Sequence, residues 1–283
     1  MTDGVWQVSF GDQIRWAVGP SEARPRHLLD ASVGLDDVLG GEISWAGWMS
    51  AVSEEVLPTD ARLLAPIGNQ EVWAAGVTFQ RSQAARREES QAPDHYDRVY
   101  DADRPELFLK AAQGRSRGPG QDVTIRRDSG WDVPEPEVGL VADHRGRLVA
   151  LTLGNDMSSR SIEGENPLYL PQAKVYDGSC AIGPCLIPAT AVELPTQKLS
   201  MQIERAGRSV FDEAISMAEM RRTPTDLLEW LFKAMTFPTG VVLLTGTGLV
   251  PGNGFTLQEG DRVRIVLQGH LTLENLVALA GKA

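Results

Sequence analysis

Three carboxylates have the type and spacing that most directly indicate chemistry in this sequence. The stretch VPEPEV places Glu135 and Glu137 two positions apart between prolines, in a segment otherwise typical of a strand. Alternate strand residues point to the same face, where two negative charges repel each other. Asp156 follows an apolar run at the turn signalled by Gly154 and Asn155. Either a positive group lies between the glutamates, or both face water at an exposed strand edge.

A divalent metal ion is the positive group that these side chains suit. Three carboxylates with no neighbouring histidine favour a hard cation, Mg²⁺ or Mn²⁺, over zinc. The four histidines are spread along the chain without a metal-ligand spacing: His27, His95, His144 and His270. Spacing alone leaves the metal site and a pair of solvated glutamates both open.

Lys174, in PQAKVYDG, is a second candidate for chemistry. On its own it is typical of a solvated lysine. Beside a metal ion, burial and the nearby positive charge would both lower the pKa of its ammonium, and the side chain could then accept a proton.

The elements that must position these residues are mostly strands. Apolar runs separated by Gly and Pro predict strands at EVWAAGVTF, LFLKA, EVGLVAD, LVALTLG, AIGPCLIP, LSMQIE, GVVLLTG and RVRIVL. Two segments predict helices, RSQAARREES and TPTDLLEWLFKAM. The second begins with Thr223 as N-cap, Pro224 at the first helical position and Asp226 at the capping-box position. The predicted class is a β-rich α+β fold with a mixed sheet.

The first 65 residues predict a small amino-terminal lobe. The segments VWQVSF and QIRWAVG are typical of strands, and WAGWMSAVSEEVL has helical spacing. The stretch PTDARLLAPIGN has the prolines and glycine of a linker. We therefore expect a lobe over residues 1–65 and a larger catalytic domain over residues 66–283.

Composition excludes some classes of function. The net charge of −11 disfavours general binding to nucleic acid or to an anionic membrane, because both draw their affinity from Lys and Arg. No apolar run approaches the roughly 18 residues of a membrane helix. The amino terminus lacks a secretory pattern, so a cytoplasmic location is the default expectation. Cys180 and Cys185 fit no zinc or C-x-x-C spacing, which favours two buried thiols over a disulfide.

Several motifs in their order resemble the fumarylacetoacetate hydrolase superfamily. Between Val72 and His270 the chain carries E-x-E, GNDMSSR, a lysine followed by GP, TGTG and EGDRVRIVLQG. The resemblance implies a β-sheet roll of that superfamily's carboxyl-terminal domain, a bound Mg²⁺ or Mn²⁺, and a homodimer or homotetramer. It implies that the metal ligands are Glu135, Glu137 and Asp156, and that the active-site lysine is Lys174.

The same resemblance implies contacts with a small 2-oxo acid substrate. Arg160 matches the arginine of the GND motif, and Thr247 matches a threonine of the TGT turn that touches the substrate carboxylate. From the residues alone, Arg160 could equally form a structural ion pair, and Thr247 could be a turn residue.

One departure from the motif pattern concerns a histidine. The carbon–carbon hydrolases of the superfamily carry GLNYxxH, whereas this chain has GVTFQRS, with Ser82 at the histidine position. We expect Ser82 to contact the substrate. Serine is not a base near neutral pH without help, which argues against simple hydrolysis. The neighbouring segments more closely resemble the branch that dehydrates 2-keto-3-deoxy pentonates to 2-oxoglutarate semialdehyde through an enolate.

The general acid of such a dehydration has more than one candidate. Glu106 shares a predicted strand face with Phe108 and Lys110 and could reach the site, or it could be a surface glutamate paired to Lys110. Glu88 and Glu89, on the RSQAARREES helix, are rivals. Two other functions stay open: an acylpyruvate hydrolase or oxaloacetate decarboxylase, and a non-catalytic protein that binds a 2-oxo acid.

Overall fold

The computed structural model describes residues 2–79 and 101–281. The helices of this part are α1 (Leu35–Gly40), α2 (Trp45–Ser50), α3 (Arg160–Glu165), α4 (Leu170–Lys174) and α5 (Pro224–Phe232). Its strands are β1 (Asp3–Phe10), β2 (Gln13–Pro20), β3 (His27–Leu29), β4 (Val52–Val56), β5 (Arg62–Leu64), β6 (Glu71–Gly76), β7 (Glu106–Ala111), β8 (Val123–Ile125), β9 (Asp132–Val133), β10 (Pro136–Ala142), β11 (Leu148–Asp156), β12 (Ser158–Ser159), β13 (Cys180–Pro188), β14 (Lys198–Arg205), β15 (Arg208–Ser216), β16 (Val241–Leu244), β17 (Arg262–Leu267) and β18 (Leu271–Leu279).

Two mixed sheets organise the described residues. The larger has the order β4-β3-β2-β1-β13-β11-β10-β16-β6-β7, with β5 also paired to β1. The smaller has the order β15-β14-β17-β18-β8, and β9 pairs with β12 as a short ribbon. Strand β16 runs parallel to β6 and β18 parallel to β8, whereas the other pairs are antiparallel. The β-rich α+β prediction is confirmed.

The centre of the large sheet is buried on both faces. Every residue of β10 is buried, because Val138 and Leu140 belong to the core shared with the small sheet and Val141 packs with the amino-terminal helices. A strand with two buried faces has no polar side that must alternate with an apolar one. A carboxylate such as Glu137 on this strand therefore needs partners inside the protein.

The amino-terminal residues join the large sheet. Strand β1 pairs with β13 at Val5 and Leu186, and Trp48 of α2 is fully buried in the second core cluster. The division of the chain at residue 65 stays a prediction.

Two local predictions in this region are wrong. The helical spacing of WAGWMSAVSEEVL was expected to give one helix, but α2 ends at Ser50 and Val52–Val56 is strand β4, paired with β3. The expected linker contains β5, which pairs with β1. Pairing with a neighbouring strand determined the secondary structure of both segments, and the hydrophobic periodicity of a segment does not indicate such pairing.

The prediction about the two cysteines is confirmed. Cys180 and Cys185 are buried free thiols, and burial raises the pKa of both. No helix in the described residues is long and apolar enough to cross a membrane. The predicted RSQAARREES helix lies outside the described residues.

Helix α5 has the N-cap residue and the first-turn proline that its sequence predicts. Thr223 is the N-cap and accepts a hydrogen bond from the Asp226 amide at 3.1 Å, and Pro224 occupies the first turn. The helix buries Leu227, Leu228 and Leu231. The cap therefore holds the start of an element that covers the core.

We predict that Thr223→Ala lowers the free energy of unfolding by about 1 kcal/mol, because the Asp226 amide loses its acceptor. Thr225→Ala, at an exposed position of the same helix, is the matched control and should leave stability within about 0.5 kcal/mol. Urea unfolding followed by circular dichroism measures both. Equal stability of the two variants would contradict the assignment of the cap.

Candidate metal centre and active site

The three carboxylates singled out from the sequence meet in the interior. Strand β10 carries Glu137, β11 ends at Asp156, and the two strands pair with Glu137 opposite Gly154. The Asp156 amide donates to the Glu135 carbonyl at 2.9 Å. One oxygen from each of the three carboxylates lies within 4.8 Å of the other two, and all three residues are buried.

The geometry that brings the two glutamates together differs from the expected continuous strand. The strand breaks at Pro134 and Glu135, between β9 and β10, so Glu135 is not a strand residue. Proline at Pro134 removes a ladder donor, which accounts for an interruption at this place. The convergence of the side chains therefore comes from the break together with the pairing of β10 and β11.

Lys174 lies among the carboxylates, as the sequence predicted. Its Nζ is 2.6 Å from Glu135 Oε2, 3.1 Å from Asp156 Oδ2 and 2.7 Å from Ser158 Oγ. Helix α4 ends at this residue, and only about 1% of the side chain is exposed. The ammonium thus has three acceptors for its three donors.

Arg160 forms buried ion pairs. Its Nη2 is 2.5 Å from Glu135 Oε1 and its Nη1 is 3.6 Å from Glu163 Oε2. The ion pair that the sequence allowed for Arg160 is therefore present in the structure. The residue also lines the cavity beside the carboxylates. A contact with substrate stays a prediction.

Glu137 differs from the other two carboxylates in its partners. Its Oε2 accepts a hydrogen bond from the Gly246 amide at 2.6 Å, and within residues 2–79 and 101–281 no Lys or Arg lies within ion-pair distance of it. Burial, followed by the charges of Asp156 and Glu135, raises the pKa of Glu137 well above its usual value. A cation beside Glu137 would offset the free-energy cost of ionising this buried carboxylate.

The cavity beside these carboxylates has the size of an ion site. Its volume is about 10 Å³, close to the least space in which one water molecule fits. It is lined by Ala75, Gly76, Val77, Phe108, Glu135, Glu137, Asp156, Arg160, Lys174, Gly246 and Thr247. Buried carboxylate oxygens are the ligands that a hard divalent cation prefers. One of the three carboxylates, that of Glu137, has no cationic partner among the described residues, so the site fits such a cation.

The TGTG turn contributes its backbone to the site. Gly246 has a φ of 79°, and a Cβ there would lie 2.2 Å from Thr78 Oγ1, so a side chain would push the turn away from Glu137. Thr247 lines the cavity, while its Oγ1 accepts from the Leu249 amide at 3.1 Å. Its expected substrate contact stays a prediction.

Glu106 lies at the edge of the cavity. Its carboxylate packs against Gly76, which lines the cavity. The contact is so close that a Cβ on Gly76 would lie 1.9 Å from Glu106 Oε2. The alternative of a surface pair with Lys110 has little support in the geometry, since the Lys110 ammonium is fully buried and turned toward Asp156. Ser82, Glu88 and Glu89 lie outside the described residues.

Sequence reasoning missed the part that Lys110 plays in this cluster. It entered only as a partner for Glu106, yet its Nζ is 2.5 Å from Asp156 Oδ1. A lysine in an apolar strand run is the one signal in the sequence, since such a side chain must find buried acceptors.

A comparison with protein-family models gives the family. Residues 71–278 match the model described as fumarylacetoacetate (FAA) hydrolase C-terminal. The chain belongs to the fumarylacetoacetate hydrolase family.

Individual relatives are similar over most of the chain. A probable 2-keto-3-deoxyxylonate dehydratase of Haloferax volcanii is 52% identical over 219 residues, 77% of this chain and 75% of the relative. The 2-dehydro-3-deoxy-D-arabinonate dehydratase of Saccharolobus solfataricus is 35% identical over 242 residues, 84% of this chain and 81% of the relative. A crystallised 2-keto-3-deoxy-D-arabinonate dehydratase, complexed with magnesium and 2,5-dioxopentanoate, superposes with a TM-score of 0.84 at 29% identity, covering 98% of this chain and 99% of the other.

A further carboxylate next to the site has an altered pKa. Asp132, in β9, is only 3% exposed, and burial raises its pKa to about 6. The folded protein therefore holds this proton more tightly than the unfolded chain. The resulting stabilisation is complete below about pH 4 and is lost as the pH rises through about 6.

We predict that Asp132→Asn raises the free energy of unfolding relative to the parent protein by roughly 1–3 kcal/mol at pH 8 and has little effect at pH 4. Asp128→Asn is the matched control, because Arg126 lowers the pKa of Asp128 and the substitution should be neutral or destabilising at pH 8. Thermal unfolding at the two pH values measures both. An increase in the stability of Asp132→Asn that is the same at both pH values would contradict the raised pKa of Asp132.

Proposed function

We propose that this protein is a magnesium-dependent dehydratase that converts a 2-keto-3-deoxy pentonate to 2-oxoglutarate semialdehyde, which is 2,5-dioxopentanoate. The observation that carries the proposal is the buried cluster of Glu135, Glu137 and Asp156 with Lys174 at its centre. Similarity to two dehydratases of such sugar acids, at 52% and 35% identity, supports the choice of reaction within the family.

Glu135, Glu137 and Asp156 would hold the Mg²⁺, with Mn²⁺ as a substitute. When bound, the cation polarises the carboxylate and C2 carbonyl of a 2-oxo acid and makes its C3 protons more acidic. The complex of the structural relative with magnesium supports this choice of cation.

Lys174 is the proposed base. Its Nζ contacts Glu135, Asp156 and Ser158, so it is held beside the carboxylates that would hold the Mg²⁺. The Phe108 ring centroid is 5.6 Å from the same Nζ and covers it from one side. A divalent cation bound to the same carboxylates would disfavour the ammonium, and Lys174 as the neutral amine would then take a proton from C3 of the substrate.

Glu106 is the proposed acid. After C3 loses its proton, the C4–O bond breaks, and a proton from Glu106 lets the hydroxide leave as water. A C3–C4 double bond remains, and movement of a proton from C5 to C3 gives the C5 enol, which tautomerises to the aldehyde. Water does not act as a nucleophile in this sequence, which agrees with serine at position 82 in place of a histidine.

Substrate orientation is proposed for three further residues. Arg160 lines the cavity with its guanidinium beside Glu135, and Thr247 lines it from the TGTG turn. Both would contact the substrate carboxylate. Ser82, which lies outside the described residues, is kept as a third contact. We also propose a homodimer or homotetramer, from the resemblance in sequence, and a cytoplasmic location.

The decisive assay supplies the purified protein with Mg²⁺ and, separately, each 2-keto-3-deoxy pentonate stereoisomer. An NAD-dependent aldehyde dehydrogenase reports the semialdehyde. We expect product from one stereoisomer and loss of product with a chelator. Turnover of an acylpyruvate or oxaloacetate instead would favour hydrolysis or decarboxylation, and binding without any turnover would favour a non-catalytic 2-oxo acid binding protein.

We predict that Glu106→Gln lowers kcat at least about 100-fold, because the departing hydroxide loses its proton donor. Mn²⁺ binding, measured by calorimetry, should be unchanged, since Glu106 is not a proposed ligand. Glu71→Gln, an exposed change at the start of β6, is the control and should keep full activity. Near-normal turnover of Glu106→Gln would exclude Glu106 as the acid.

A further inference from the structure

Lys110 is a fully buried lysine that the proposed reaction does not use. Its exposed fraction is 0%, and it lies on β7 four residues after Glu106. The Nζ donates to the Met157 carbonyl at 2.9 Å and to the Lys174 carbonyl, and it lies 2.5 Å from Asp156 Oδ1. The first two contacts are hydrogen bonds to main-chain carbonyls, and the third is an ion pair with a buried carboxylate.

The Asp156 carboxylate is consequently held from both sides. Lys110 lies at Oδ1, and Lys174 Nζ lies 3.1 Å from Oδ2. Two fixed contacts define the rotation of the carboxylate about its Cβ–Cγ bond. The direction in which Asp156 presents its oxygens to the cavity therefore depends on Lys110.

The bond to the Lys174 carbonyl acts on the proposed base as well. Helix α4 ends at Lys174, and the last carbonyls of a helix have no partner within it. Lys110 supplies that partner from a neighbouring strand. One ammonium thus joins a proposed metal ligand to the main chain of the residue that would take the proton.

The strand that carries Lys110 is itself part of the site. Phe108, two residues before Lys110 on β7, lines the cavity. Lys110 itself is the extra residue of a β-bulge, because Ala111 pairs with Val72 and Leu109 with Trp73. A change at Lys110 would therefore act at the site and not only on the stability of a remote core.

We propose that Lys110 is a positioning residue, which orients Asp156 for the metal ion and fixes the main chain at Lys174. The inference rests on the proposed function of the metal centre. Residues that orient metal ligands typically contribute 10–100-fold to metal affinity, because a ligand that must be ordered on binding holds the ion less tightly.

The test measures Mn²⁺ binding by calorimetry and electron paramagnetic resonance for the parent protein, Lys110→Met and Lys110→Gln. Methionine keeps the volume of the side chain without the charge, and glutamine keeps an N–H donor. Arg205→Met is the matched control: it removes a cation 2.8 Å from the buried Asp261, and neither residue lines the cavity. Lys110→Met and Arg205→Met should both lower the melting temperature.

We expect Lys110→Met to raise the Kd for Mn²⁺ by about 10–100-fold. Lys110→Gln should show a smaller loss, and Arg205→Met should stay within about twofold of the parent protein, since it touches no ligand. Unchanged Mn²⁺ affinity in a folded Lys110 variant would overturn the inference. Failure of both Lys110 variants to fold would overturn it too, by making Lys110 a requirement for folding. No Mn²⁺ binding by the parent protein would instead contradict the proposed function.

Discussion

The mutual repulsion of three buried carboxylates is the constraint on which the site depends. Two unit charges of the same sign about 4 Å apart repel by about 4 kcal/mol at an effective dielectric constant of 20. Lys174 and Arg160 offset this at Glu135, and Lys174 and Lys110 offset it at Asp156. Glu137 accepts a hydrogen bond from the Gly246 amide, and a divalent cation beside it would complete the compensation.

The sheet makes this arrangement possible by bringing distant parts of the chain together. Strands β10 and β11 supply two carboxylates, β7 supplies Lys110 from an edge of the same sheet, and α4 ends at Lys174. The covering small sheet and the amino-terminal elements exclude water from both faces of the central strands. Exclusion of water strengthens each charge contact, so the same packing that stabilises the fold prepares the site for a metal ion.

Much of the site followed from sequence, because the types and order of Glu135, Glu137, Asp156 and Lys174 fit a small set of chemistries. The sequence did not predict the strand break at Pro134, since the run read as one continuous strand. It also did not reveal the contacts of Lys110, because a lysine in an apolar strand indicates buried acceptors but not which residues of other elements supply them. The early end of α2 was missed for the same reason: β4 forms by pairing with β3.

Anomalous diffraction from crystals soaked in Mn²⁺ would test the central claim most directly, because it locates the ion without reference to activity. We expect one strong peak between Glu135, Glu137 and Asp156, with metal–oxygen distances of about 2.0–2.3 Å. An empty cluster, with a peak elsewhere or no peak at all at saturating Mn²⁺, would contradict the claim that these carboxylates form a metal centre.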